Sequence, residues 1–226
     1  MVLGTPRLVA TDLDGTLLNS RGAITQRTRE VLRALDARGV PVVFTTGRPI
    51  RWMQGLWEDV GGHGLAICSN GALVYDVTRR QVRDVHPVPP PLAHDLADRM
   101  RLSIPGTSLA IEHLQGWASE PSFPRHPDDA SDRVQGSFEE IYRGDVVKIL
   151  AAHRTLDPEE FWHQIAAATT GQVSTTWSST FALVEISAKG VTKARALASL
   201  AAELGVAAQD VVAFGDMPND LEMLSW

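Results

Sequence analysis

The chain has 226 residues, of which 44 % are hydrophobic and 21 % charged, and a net charge of −6 from 21 basic and 27 acidic side chains. That composition is globular and excludes long disorder and collagen-like repeats, and the acidic balance argues against a nucleic-acid binder, which carries a basic face. No apolar run approaches the roughly 18 residues that span a bilayer, the N-terminus has no basic region followed by a long apolar one, and the single cysteine, Cys68, excludes an intrachain disulfide or a multi-cysteine zinc site, so a cytoplasmic protein without membrane or nucleic-acid partners is expected.

At roughly 150 residues per domain, the length corresponds to one and a half domains. Arg7 to Thr11, closed by Asp12, reads as a buried strand. Thr25 is placed to cap a helix from Gln26 to Arg38, with Val31, Leu32 and Leu35 on its inner face and Gly39 as its stop. Pro41 to Thr45 is a second buried strand, Pro49 opens a helix that Gly61-Gly62 ends, and Leu65 to Ser69 is a third strand. This β-α-β-α-β order is that of a parallel sheet with crossover helices. The rhythm then changes. Ala72 to Asp76 and Gln81 to His86 alternate like a hairpin, and Pro87 to Pro91 is a stiff linker. A helix over Leu92 to Arg101, strands at Ser108 to His113 and Trp117 to Glu120, a polar loop at 121–136 and a strand at Val146 to Ala152 follow. Asp157-Pro158-Glu159-Glu160 is a helix start, and Val173 to Trp177 and Phe181 to Ser187 are further strands. From Thr192 the first rhythm returns: a helix to Leu204, a strand over Asp210 to Phe214, and a last helix from Pro218. The expected organisation is a discontinuous core, 1–84 and 188–226, interrupted by an α+β domain over 85–187.

Four strand or helix ends carry polar residues suited to one chemistry. In open parallel sheets, ligands bind beyond the carboxyl ends of strands. Asp12-Leu13-Asp14-Gly15-Thr16 places two carboxylates at such an end, where they are expected to point to one side and repel. A divalent cation removes that repulsion, and oxygen-only ligands suit Mg²⁺; the alternative is a plain Asp-Gly turn. Thr45-Thr46-Gly47-Arg48 offers a hydroxyl and free N–H groups to a phosphate oxygen, although a threonine there is also an ordinary helix cap. Lys193 opens the helix that follows the inserted domain; taken alone it reads as a solvated surface lysine, but opposite the acidic pair its compact ammonium suits a phosphoryl group. The chain has 18 Arg and only three Lys, so each lysine is informative. In Gly215-Asp216-Met217-Pro218-Asn219-Asp220, Asp216 again ends a buried strand.

In order and spacing, DLDGT, TTGR, Lys193 and GDMPND resemble the four motifs of the haloacid dehalogenase (HAD) superfamily of phosphohydrolases. Cys68-Ser69-Asn70-Gly71-Ala72, the EIS and KGVTK segments and the LEML that follows GDMPND are similar to the Cof-like sugar phosphatases, whose cap is of class IIB. The resemblance covers essentially the whole chain. It implies an α/β fold: a Rossmann-like HAD core with a parallel sheet, plus an inserted α+β cap domain. Only 32 positions separate Asp14 from Thr46, so the cap falls between Thr46 and Lys193.

The resemblance also implies a Mg²⁺-dependent phosphatase acting on small phosphorylated metabolites, sugar phosphates among them, through an aspartyl-phosphate. Asp12 is then the nucleophile and Asp14 the general acid and base. Asp12, the backbone carbonyl of Asp14, and Asp216 hold Mg²⁺. Thr46, Gly47, Lys193 and Asn219 hold the phosphoryl group, Asp220 orients Lys193 or the metal waters, and Asn70 sits near the site at the cap junction. A phosphomutase on the same scaffold and a non-catalytic binding protein are the competing readings. Relatives continue past the last motif, whereas this chain stops at Leu224-Ser225-Trp226 inside a helix, so a truncated chain is expected. The seven histidines lack HExxH or paired spacing, which argues against zinc.

Overall fold

The apolar run before the first aspartate forms β1 (Leu8–Asp12), buried along its whole length in a computed structural model that describes residues 5–57, 64–114, 116–124, 134–177 and 179–226. A strand with both faces covered is what the centre of a parallel sheet requires. Helix α1 (Gln26–Asp36) begins where Thr25 Oγ1 accepts the Thr28 N–H. Its inner side is narrower than the sequence suggested: Leu32 and Leu35 are half-buried, but Val31 is 44 % exposed. β2 (Val42–Thr45) follows, then a tight turn at Ile50–Trp52 and a short α2 (Gln54–Trp57) in place of one continuous helix. The expected stop at Gly61-Gly62 lies outside the described residues. β3 (Leu65–Cys68), β4 (Leu73–Asp76) and β5 (Gln81–Val85) complete this part of the chain.

The residues His86–Gly190 form a separate unit. It contains α3 (Pro90–Ser103), β6 (Ser108–His113), β7 (Gly116–Ser119), β8 (Val134–Gln135), α4 (Phe138–Ile141), β9 (Val146–Ala152), α5 (Pro158–Thr169), β10 (Val173–Thr176) and β11 (Leu183–Ala188). Its sheet runs in the order β10-β11-β9-β6-β7-β8, antiparallel except for β7 with β8. Leu96 and Met100 of α3 and Phe161 and Ile165 of α5 pack on one face of it with Leu109, Ile149 and Val184. The other face carries Ala110, Leu150 and Phe123. Within the expected loop at 121–136, residues 125–133 lie outside the described residues; β8 and α4 were not anticipated. The overlooked signal was Ser137-x-x-Glu140, a reciprocal capping box. The unit continues to Gly190 because β11 runs to Ala188 and the Gly190 N–H donates to Ser174 Oγ.

The chain then returns to the first unit, Met1–Val85 with Val191–Trp226, through α6 (Lys193–Glu203), β12 (Val211–Phe214) and α7 (Leu221–Ser225). The sheet order is β12-β1-β2-β3-β4-β5, parallel from β12 to β3 and antiparallel beyond. The chain leaves β1 toward β2 on one side and comes back as β12 on the other, so β1 is the topological switch point, where such sheets open a crevice at the strand ends. The core beneath it is Leu8, Ala10, Val43, Ile67, Leu197 and Leu200.

Candidate active site

Parallel register places Asp12 beside Thr45 and Thr11 beside Phe214, so β1, β2 and β12 end side by side. Asp12 is only 4 % exposed, Thr46 1 % and Lys193 2 %. Lys193 is the first residue of α6, whose cap is Thr192. Its Nζ donates to Asp12 Oδ1 at 2.6 Å and to Asp220 Oδ1 at 2.7 Å. Asp220 is fully buried, and its other oxygen accepts the backbone N–H groups of Asp216 and Met217 at 3.2 and 3.1 Å. Two carboxylates therefore share one ammonium, a cluster with net negative charge. Burial pushes the Asp12 carboxyl up from 3.8 to about 6; the Lys193 charge and hydrogen bond oppose that, and Asp220 adds to it.

Asp14 does not share this cluster. Its carboxylate is exposed and is gripped by the Arg48 guanidinium, with Nε 2.7 Å from Oδ2 and Nη2 on Oδ1. The like charge that raises Asp12 comes from Asp220 rather than from Asp14, contrary to the expectation that the DLD pair would face one another. Gly15, directly after Asp14, takes φ +79°. A Cβ there would stand 2.2 Å from Asp216 Oδ2, so only glycine lets the β1 loop approach that carboxylate. Thr16 Oγ1 donates to Asp216 Oδ1 at 2.9 Å.

Carboxylate oxygens of Asp12, Asp216 and Asp220 lie within 4.8 Å of one another. Three carboxylates with one ammonium between them fit a hard divalent cation, which takes oxygen ligands. Both Asp220 oxygens already accept hydrogen bonds, which leaves Asp12 and Asp216 as the side chains better suited to hold it.

The other anticipated residues also gather here. The Thr46 N–H donates to Ile67 O at 2.8 Å and its Oγ1 accepts the Arg48 N–H at 3.0 Å; Gly47 lies between them. Asn219 Nδ2 donates to Asn70 Oδ1 at 3.1 Å, and Asn70 is 2 % exposed. Asp12, Thr46, Asn70, Lys193, Asp216, Asn219 and Asp220 thus fall in one hydrogen-bonded neighbourhood at the strand ends, with Asp14 at its exposed margin. Sequence reasoning assigned no role to Arg48 or Thr16. Both lie inside quoted motifs, but their partners are 34 and 200 positions away, and nothing local encodes those pairings.

The sequence pattern of the haloacid dehalogenase-like hydrolases matches residues 9–226. A putative phosphatase from Haemophilus influenzae is 27 % identical over 232 residues, covering 97 % of this chain and 82 % of that protein. An HMP-PP phosphatase from Yersinia pseudotuberculosis is 30 % identical over 228 residues, covering 97 % and 80 %. Among solved structures, the HAD subclass IIB sugar phosphatase BT4131 shares the fold, with a TM-score of 0.76 at 20 % identity over 96 % of this chain and 83 % of that one.

Proposed function

Since this chain belongs to the haloacid dehalogenase-like hydrolases, we propose that it hydrolyses small phosphorylated metabolites, sugar phosphates among them, through an aspartyl-phosphate formed on Asp12, with Mg²⁺ as cofactor. Phosphatase is the activity that these two relatives carry in their names. The observation that carries the reading is the buried Asp12, held by Lys193 at 2.6 Å at the carboxyl end of β1, with Asp216 beside it.

In this reading an Asp12 carboxylate oxygen attacks the phosphorus, and the bond from phosphorus to the ester oxygen breaks. Asp14 gives its proton to the leaving oxygen. Water then attacks the phosphorus of the acyl phosphate, Asp14 takes the water's proton, and Asp12 is restored as orthophosphate leaves. Asp14 has to turn from Arg48 toward the leaving group for this, and its exposed position leaves it room to do so. Thr46, the Gly47 backbone, Lys193 and Asn219 hold the transferring phosphoryl group, and Asp220 keeps the ammonium aimed. Mg²⁺, when bound by Asp12, the Asp14 carbonyl and Asp216, supplies charge neutralisation for the phosphoryl oxygens. The inserted His86–Gly190 unit is the cap in this reading, and it selects the leaving group. The relatives named above, one of them an HMP-PP phosphatase, support a small-metabolite substrate.

The test is phosphate release from a panel of phosphorylated metabolites. The wild type with Mg²⁺ should turn over at least one ester. Asp12→Asn should abolish release while leaving the thermal melt in place, and chelation should abolish it reversibly. Near-normal turnover by Asp12→Asn would end the nucleophile assignment, and full activity after exhaustive chelation would end the metal assignment.

A further inference from the structure

Between β3 and β4 the chain makes a three-residue corner, Ser69-Asn70-Gly71, in which every residue has positive φ: 49°, 57° and 103°. All three are buried. Glycine takes such angles freely and asparagine tolerates them, but a buried serine does so at a cost. Strain of this kind persists only where surrounding contacts over-determine it, and it concentrates at functional sites.

The contacts are on three sides. The Ser69 and Asn70 N–H groups donate to the carbonyls of Arg48 and Thr46, each at 3.0 Å, which ties the corner to the segment after β2. At Gly71 a Cβ would lie 2.4 Å from the carbonyl oxygen of Thr192, the cap of the helix that carries Lys193. The Asn70 side-chain oxygen accepts from Asn219 Nδ2 at 3.1 Å. Asn219 has no second anchor of its own, because its Oδ1 is buried without a hydrogen-bond partner among the described residues. One strained corner thus touches the backbone of Thr46, the start of α6 and the amide of Asn219.

We infer that Asn70 is a positioning residue that fixes the Asn219 amide, so that its remaining N–H is presented to a phosphoryl oxygen before the ligand arrives. The inference rests on the reading of Asn219 as a phosphoryl-binding group. The left-handed backbone aims the Asn70 carboxamide at Asn219, and the tie to Thr46 keeps the two sides of the cradle in step. An amide set in advance binds more tightly than one ordered on arrival, because less side-chain freedom is lost.

The experiment is a double-mutant cycle with Asn70→Gly and Asn219→Ala, read by calorimetric binding of inorganic phosphate to the Mg²⁺-loaded protein and by steady-state kinetics on a turned-over ester. Asn70→Gly is chosen because glycine accepts φ near 57° without strain, so the melting temperature should hold or rise. Phosphate affinity should fall roughly tenfold, within the range of coupling between neighbouring side chains, with KM rising alongside. The double variant should bind phosphate within about twofold of Asn219→Ala alone, since Asn70 then has nothing to position. Wild-type affinity in Asn70→Gly, or losses that multiply in the double variant, would overturn the inference. If Asn70→Gly does not fold, Asn70→Ala serves in the same cycle, and failure of both to fold would make Asn70 a folding residue and overturn it too. A wild type that binds phosphate but releases none from any ester would sink the phosphatase reading while the binding cycle still decides the role of Asn70. A wild type that does not bind phosphate would overturn both.

Discussion

Lys193→Met removes the one cation between two buried carboxylates while keeping most of the stem volume that α6 packs around. Lys193 Nζ lies 2.6 Å from Asp12 and 2.7 Å from Asp220, and the three residues are 2 %, 4 % and 0 % exposed. At an effective dielectric of about 20, each contact is worth on the order of 6 kcal/mol of Coulomb attraction. Desolvation of three charges offsets much of that, and removing one partner from a buried pair costs about 3–5 kcal/mol overall, chiefly because the remaining charge is left uncompensated. Here two carboxylates are left, so we expect the upper part of that range, and a fall in melting temperature of roughly 8–20 °C for a chain of this size. The source of the loss can be isolated. Adding Asp12→Asn to Lys193→Met removes one of the two orphaned charges and should restore at least about 1 kcal/mol, whereas independent sites would simply add their losses. Urea unfolding by far-UV circular dichroism at pH 8, with chelator present so that no cation replaces the missing ammonium, measures all four corners. A loss below about 1 kcal/mol for Lys193→Met, or a double variant no more stable than Lys193→Met alone, would refute the shared-ammonium account.

Asp14→Asn should lower kcat by roughly 10²–10⁴, the usual contribution of a positioned general acid and base, with little change in stability because the side chain is exposed; a kcat within a few-fold of wild type in steady-state assays would remove Asp14 from the chemistry. Asp76 closes the β4–β5 turn, where its carboxylate accepts the Arg79 N–H at 2.8 Å and the Arg79 guanidinium at 2.7 Å. The backbone N–H first, and the guanidinium after it, hold this carboxyl below its usual range. Its contribution is therefore complete above the unfolded-state value near 3.8 and is lost as pH falls through and below it. Asp76→Ala should cost about 1.5–3 kcal/mol at pH 7, the net worth of a charge-assisted hydrogen bond, and the gap to wild type in urea melts should narrow below pH 4; a constant gap across that range would refute the charged-turn account.

What was legible in the sequence follows from how local the determining physics is. β1, β2 and β3 were readable because a strand covered on both faces needs a continuous apolar run, and each such run ends at a polar residue, Asp12, Thr45 or Ser69; β12, at the sheet edge and half-buried, was readable from its apolar run alone. Thr25 and Asp157 were readable as helix caps because the cap bond spans only two or three residues. Pairings between distant residues were not. The Arg48 grip on Asp14 is one, because it depends on where the turn after β2 carries a guanidinium. Nor could the sequence show that Ser69 and Asn70 both take left-handed angles, because that conformation is imposed by Thr46, Arg48 and Thr192 rather than by the residues themselves.

The scarcity of lysine was a compositional oddity that acquires a physical meaning in the fold. Two of the three lysines are almost wholly buried, and each sits against two carboxylates. Lys193 lies between Asp12 and Asp220, and Lys148, 1 % exposed on β9, has its Nζ 2.5 Å from Glu185 on β11 and 3.8 Å from Glu112 on β6. An exposed ion pair gains little from either cation, and on the surface this chain uses arginine. A buried site is different. The guanidinium is a rigid planar fork with five N–H groups to satisfy, whereas the ammonium is a compact charge with three donors on a flexible stem. A buried site with two carboxylate oxygens at 2.6 and 2.7 Å suits the compact ammonium better than the five-donor fork. Of the three lysines only Lys189 is exposed, and the other two mark the buried charge clusters of a chain otherwise rich in arginine.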